Sequence, residues 1–303
     1  MRRSLPVVLL AFGCSRHAPA PAAGDAAVAR EVSLPADASV VDASAARAPL
    51  WGFPWQLDLT DPPDGGAEAD AGGVKTTKLG CVSVPLGARE PRPIMIALHG
   101  GGDRPDWACG EWRGITGGYA FLVCPRGPGA SDSALGWSSP EDTKARIARA
   151  VAATKKMFGS WVKDTPLVIA GFSMGATQAA LLARSDPKTY PRVALSESAY
   201  APEPVMAFPV PWAKGGGERA LFSCTTFGCE GTYRRAARLV AAQGVPSRLN
   251  IAGTNQHGIW DVVVRSVRRD WPWLVEGAVG WEAYVPPVEE GPTAGKTESF
   301  EPP

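Results

Sequence analysis

The sequence predicts a single α/β domain with a mostly parallel sheet and helices on both faces. Three observations carry this expectation. From about residue 76 onward, short apolar runs alternate with helix-like stretches of about 10–17 residues, the rhythm of βαβ units, whose crossovers are right-handed. The run at 94–98 (Ile-Met-Ile-Ala-Leu) and the run at 119–123 are apolar throughout, as strands buried on both faces are. A glycine-flanked serine, Gly171-Phe172-Ser173-Met174-Gly175, stands between an apolar run at 166–170 and an alanine-rich stretch at 176–183.

The elements follow in order. Residues 1–14 have the features of a signal peptide: Arg2 and Arg3 form a positive start, and the apolar stretch at 5–13 is about half the length that spans a bilayer. Gly13-Cys14 resembles the cleavage site of bacterial lipoproteins, which makes Cys14 a candidate lipid anchor and the only expected link to a membrane. Plain secretion is the alternative. Residues 15–49, rich in Ala and Pro, read as a disordered tether. Residues 50–75 form an extension draped on the domain by the cluster Trp51-Gly52-Phe53-Pro54-Trp55, with a flexible loop at 61–73. The α/β domain spans 76–277, and a Pro-, Gly- and Glu-rich tail at 278–303 reads as loose.

Inside the domain, strands are expected at 81–84, 94–98, 119–123, 167–170, 192–195, 221–224 and 247–252. Helices are expected at 142–158, 175–183, 233–242 and 261–274. The segment 201–217, with four prolines, reads as a short lid or pocket wall. Trp107, Trp112, Trp137, Trp212 and Trp260 fall in loops and are candidates to wall a pocket, with ordinary packing as the other reading.

Composition excludes some function classes. A net charge of +1 argues against a dedicated nucleic-acid binder, and the basic clusters at 144–156, 234–238 and 265–269 read as solvated helix faces. The spacing of the six cysteines is not that of a zinc site, and with three histidines no metal centre or other cofactor is expected. In an exported chain disulfides are expected instead, with Cys109–Cys124 and Cys224–Cys229 the sequence-local pairings.

The chemistry centres on Ser173. At a tight strand-to-helix turn a serine is held strained with its hydroxyl exposed, and Gly171 and Gly175 remove side chains that would clash there. Serine needs a base. Of the three histidines, His17 lies in the tether and His99 precedes a glycine run, which leaves His257, in a loop after the last expected strand. An acid to orient the imidazole is sought between the two. Asp186, Glu203 and Glu218 are poorly placed. Glu197 and Glu230 both follow strands, and Glu230, after the penultimate one, is the choice, with Glu197 second. In Leu98-His99-Gly100-Gly101-Gly102-Asp103, the N–H of Gly100 or Gly101 is expected to join that of Met174 in stabilising an oxyanion. A phosphate cradle is disfavoured because no Lys-Ser/Thr pair follows these glycines.

The motifs at 98–103 and 171–175, together with His257, resemble the α/β-hydrolases over about 200 residues. Secreted esterases of the feruloyl-esterase, polyhydroxybutyrate-depolymerase and dienelactone-hydrolase type are the most similar in pattern. The resemblance implies a serine hydrolase that cleaves a small-molecule or polymer ester through an acyl-enzyme. In that family an Asp usually stands in an open loop after the penultimate strand; this chain has Thr225-Thr226-Phe227-Gly228-Cys229-Glu230 there. A peptidase of the same fold, or a non-catalytic surface lipoprotein that uses the fold for binding, are the alternatives.

Overall fold

The structure is a computed structural model that describes residues 48–61, 68–69, 75–76, 78–131, 133–198, 202–288 and 295–303. The expected signal segment, Cys14 and nearly all of the tether lie outside the described residues, as does most of the loop at 61–73. Among the described residues nine strands form one sheet. They are β1 Gln56–Thr60, β2 Lys78–Ser83, β3 Arg92–Leu98, β4 Phe121–Pro125, β5 Val162–Phe172, β6 Arg192–Ser196, β7 Arg219–Cys224, β8 Ser247–Ile251 and β9 Lys296–Phe300. Their order across the sheet is β1-β2-β4-β3-β5-β6-β7-β8-β9. The six strands from β4 to β8 are parallel neighbours. β1 and β2 at one edge and β9 at the other run antiparallel to their neighbours.

The helices are α1 Pro105–Thr116, α2 Pro140–Phe158, α3 Met174–Ser185, α4 Pro202–Ala207, α5 Pro209–Lys214, α6 Phe227–Ala241 and α7 Val262–Val275. The strands feed two cores by the alternation of their side chains. Ile94, Ile96 and Leu98 join the layer of α2, α3 and α6, while Met95 and Ala97 join that of α1 and α7. Both faces are therefore apolar, which is why the central strands read as unbroken runs. The disulfides Cys109–Cys124 and Cys224–Cys229 form as expected, the first tying α1 to β4.

Two expectations are corrected. The short lid expected at 201–217 is packed structure instead: Val205, Phe208 and Trp212 are fully buried, and α4 and α5 pack on α3 and α6, with prolines placed at or near the helix starts. The tail is not loose throughout, because β9 pairs with all five residues of β8. Local propensity in Lys-Thr-Glu-Ser-Phe is weak, and distant partners hold it. Arg234 on α6 grips the Glu298 carboxylate at 2.7 and 2.8 Å and pulls its pKa down to about 2, and Thr297 donates to buried Asp270 at 2.6 Å.

Candidate active site

The serine stands at the junction of β5 and α3. Its φ is +53°, a sparsely populated conformation for a residue with a side chain. The turn closes because its flanks are bare. A Cβ on Gly171 would lie 2.4 Å from the Gly175 carbonyl oxygen, and one on Gly175 would lie 2.3 Å from that of Leu98. Ser173 is the N-cap of α3, and its hydroxyl makes no capping bond to the helix. It meets His257 instead: Ser173 Oγ is 3.0 Å from His257 Nε2.

His257 lies in the loop between β8 and α7 and is partly open to solvent. Its Nδ1 is 3.2 Å from Glu197 Oε2. A carboxylate only accepts, so Nδ1 carries the proton and Nε2 presents a lone pair to the serine hydroxyl. The Phe172 ring lies against the imidazole, with centroids 4.8 Å apart.

Glu197, the second choice from sequence, is thus the acid beside His257, and the choice of Glu230 is corrected. α6 begins at Phe227, so Glu230 falls in its first turn, where Arg234 one turn on takes its carboxylate at 3.4 Å. That is the ordinary place for an acid at a helix start. Glu197 is the first residue after β6, at φ +58° and with no exposed surface. Burial alone raises its pKa. Hydrogen bonds from His257, the N–H groups of Thr225 and Thr226 and the Thr226 hydroxyl outweigh burial and hold the carboxyl below the usual range. The sequence signal for Glu197 was its place at the carboxyl end of a strand, and the donors from the next strand's loop were not legible.

The glycine loop after β3 divides the expected roles. Gly100 N–H donates to Asp103 Oδ2 at 3.3 Å, so Gly100 is corrected as an oxyanion donor. His99 decides the rest. It is fully buried, and Gly127 N–H donates to its Nε2 at 3.1 Å, so its proton sits on Nδ1 and is donated to the Gly100 carbonyl at 2.7 Å. A trans peptide places the next N–H opposite that carbonyl, which turns Gly101 N–H away from His99. Gly101, Ser173 and Met174 line one cleft of about 580 Å³ with Pro128, Leu135 and Trp137. The N–H groups of Gly101 and Met174 have no partner among the described residues. Of the other candidate tryptophans, Trp112 and Trp212 are core, and Trp107 and Trp260 are exposed.

Burial, above all, pushes the His99 pKa down to about 4. An unfolded histidine titrates near 6.5, so between these values the unfolded chain holds one proton more. The stability linked to His99 is therefore whole above about pH 6.5 and falls by about 3 kcal/mol as the pH drops to about 4. Urea unfolding at pH 7 and pH 4.5 checks this. The acid-induced loss should be smaller in His99→Gln, and equal losses would refute it.

No family model matches the chain, and no curated protein matches it. Solved structures do. The S-formylglutathione hydrolase of Agrobacterium tumefaciens is 13% identical, with 73% of this chain and 94% of that one aligned at a TM-score of 0.52. FphF, a fluorophosphonate-binding serine hydrolase of Staphylococcus aureus, is 14% identical over 73% of this chain and 97% of that one, at a TM-score of 0.48. The chain has the α/β-hydrolase fold. At these identities the likeness concerns the fold alone. Within it, the serine follows β5 and the histidine follows β8, and the acid at the histidine follows β6 instead of the penultimate strand of the family pattern.

Proposed function

We propose that this protein is a serine hydrolase that cleaves carboxylic esters through an acyl-enzyme. The observation that supports it is the unbroken chain of contacts from Ser173 Oγ to His257 Nε2 at 3.0 Å and from His257 Nδ1 to Glu197 at 3.2 Å. In this reading Ser173 attacks the acyl carbon as His257 takes its proton, and Glu197 holds the imidazolium so formed. Gly101 and Met174 donate their N–H groups to the oxyanion. Collapse expels the alcohol, which takes its proton from His257, and water repeats the sequence to release the acid. The chemistry calls for no cofactor.

Among the described residues the cleft beside Ser173 is lined by glycine, alanine, proline, leucine, methionine and tryptophan, with Ser138 and no charged side chain, which favours an uncharged acyl or alcohol group. The non-catalytic alternative drew its support from the acid missing after the penultimate strand, and Glu197 at His257 removes that support. Two disulfides favour an oxidising compartment, so we place the domain outside the cytoplasm, exported by residues 1–14 and anchored through Cys14 where that residue is lipidated. A fluorophosphonate probe tests the central claim. Labelling confined to Ser173 is the expected result, and a folded protein that takes no label overturns it.

A further inference from the structure

The turn between β7 and α6 meets both partners of the candidate acid–base pair. Cys224 ends β7, Cys229 lies in the first turn of α6, and their disulfide closes a ring of the chain around Thr225 and Thr226. Three donors from this ring converge on Glu197. The N–H groups of Thr225 and Thr226 both reach Oε1, the latter at 3.0 Å, and the Thr226 hydroxyl reaches Oε2 at 2.8 Å. Oε2 is also the oxygen that faces His257 Nδ1. On its other side the same ring holds the histidine loop. The Thr225 hydroxyl donates to the Gln256 carbonyl, and Asn255 N–H donates to the Thr225 carbonyl at 2.8 Å.

Two features set this turn apart from an ordinary loop. Thr226 occupies the N-cap of α6, where threonine normally accepts from the helix, yet it makes no capping bond. Its hydroxyl donates to Glu197 instead. Glu197 in turn sits at φ +58° with no exposed surface, a strained backbone and a desolvated charge that hold only while donors are aimed at it. Two N–H groups reach one oxygen only if both peptide planes are fixed, and a short cross-linked ring restricts them.

We propose that the turn closed by Cys224 and Cys229 positions the Glu197–His257 pair, with Thr226 a positioning residue that acts through Glu197. This rests on the serine-hydrolase reading for its effect on turnover, though not for its effect on the pair itself. Thr226→Val keeps the shape and removes the donor, and Thr226→Ser restores the donor. Two readouts are taken on the full chain: the far-downfield proton resonance of His257 Nδ1–H, and kcat and KM for p-nitrophenyl acetate. Thr226→Val is expected to lower kcat at least tenfold with KM within about twofold, and to move the resonance upfield or broaden it away. Thr226→Ser should recover both, and Cys224→Ala/Cys229→Ala, folded by near-ultraviolet circular dichroism, should lose the resonance. A Thr226→Val protein that keeps its resonance refutes the proposal, whether or not the wild type turns over esters. A resonance that responds as expected in a protein with no esterase activity supports the positioning role and removes the esterase reading alone.

Discussion

Ser173→Ala is expected to lower kcat for ester hydrolysis by about 10⁶-fold while leaving the fold intact. The size follows from the unit behaviour of such a group: once the nucleophile is gone, base and acid have nothing to act on. A remainder above the rate in water, about 10³-fold or more, is expected because the cleft and the N–H groups of Gly101 and Met174 still bind and polarise the ester. Stability should change little. The strained φ of +53° belongs to either side chain, and the hydroxyl's partner, His257, is partly open to solvent. Burst and steady-state kinetics on p-nitrophenyl acetate read the effect. A purified Ser173→Ala protein within tenfold of wild type would mean that some other residue carries the reaction.

Glu197→Gln comes next in size, with an expected loss of about 10⁴-fold in kcat. An amide would present its NH2 group to Nδ1 or leave the loop N–H groups without their acceptor. The first orientation, which keeps the oxygen on the loop N–H groups, costs His257 the tautomer that leaves Nε2 free to take the serine proton; the second keeps an acceptor at Nδ1 and sets NH2 against the two loop N–H groups, which displaces the side chain from the imidazole. Glu230→Gln is the control and should stay within about twofold of wild type, since its carboxylate meets Arg234 and not His257. The pH profile adds a sign. Hydrogen bonds hold the Glu197 carboxyl below the usual range, so it stays ionised through neutral pH and is protonated only in more acidic solution than an ordinary glutamate. The charge on Glu197 should thus persist as the pH is lowered into the usual carboxylate range. Equal losses in the two variants would send the search for the acid elsewhere.

The difference between these two acids shows where sequence reading ends. Both follow strands that run the same way, so both stand at the right end of the sheet. Choosing between them depends on where α6 begins: with Phe227 already helical, Glu230 is carried onto the helix flank beside Arg234. It also depends on the Thr225 and Thr226 donors, which make a buried charge tolerable at Glu197. Gly100 and Gly101 differ in the same way. They are alike as letters, and the hydrogen bonds of His99 and Asp103 send one N–H to a carboxylate and leave the next without a partner among the described residues. β9 was missed because its support lies in side chains from α6 and α7.

By itself the sequence determined the α/β architecture, the elbow at Ser173 and the candidacy of His257, and it suggested both cysteine pairings, because each rests on local signals: period, glycine spacing, scarcity of histidine and short separation; the pairings themselves are decided by the structure. Only the tertiary structure decided which carboxylate meets the imidazole across 60 residues of chain, and which glycine amide donates to Asp103. Those outcomes depend on competing hydrogen bonds between segments far apart in sequence, and no local pattern records which bond wins.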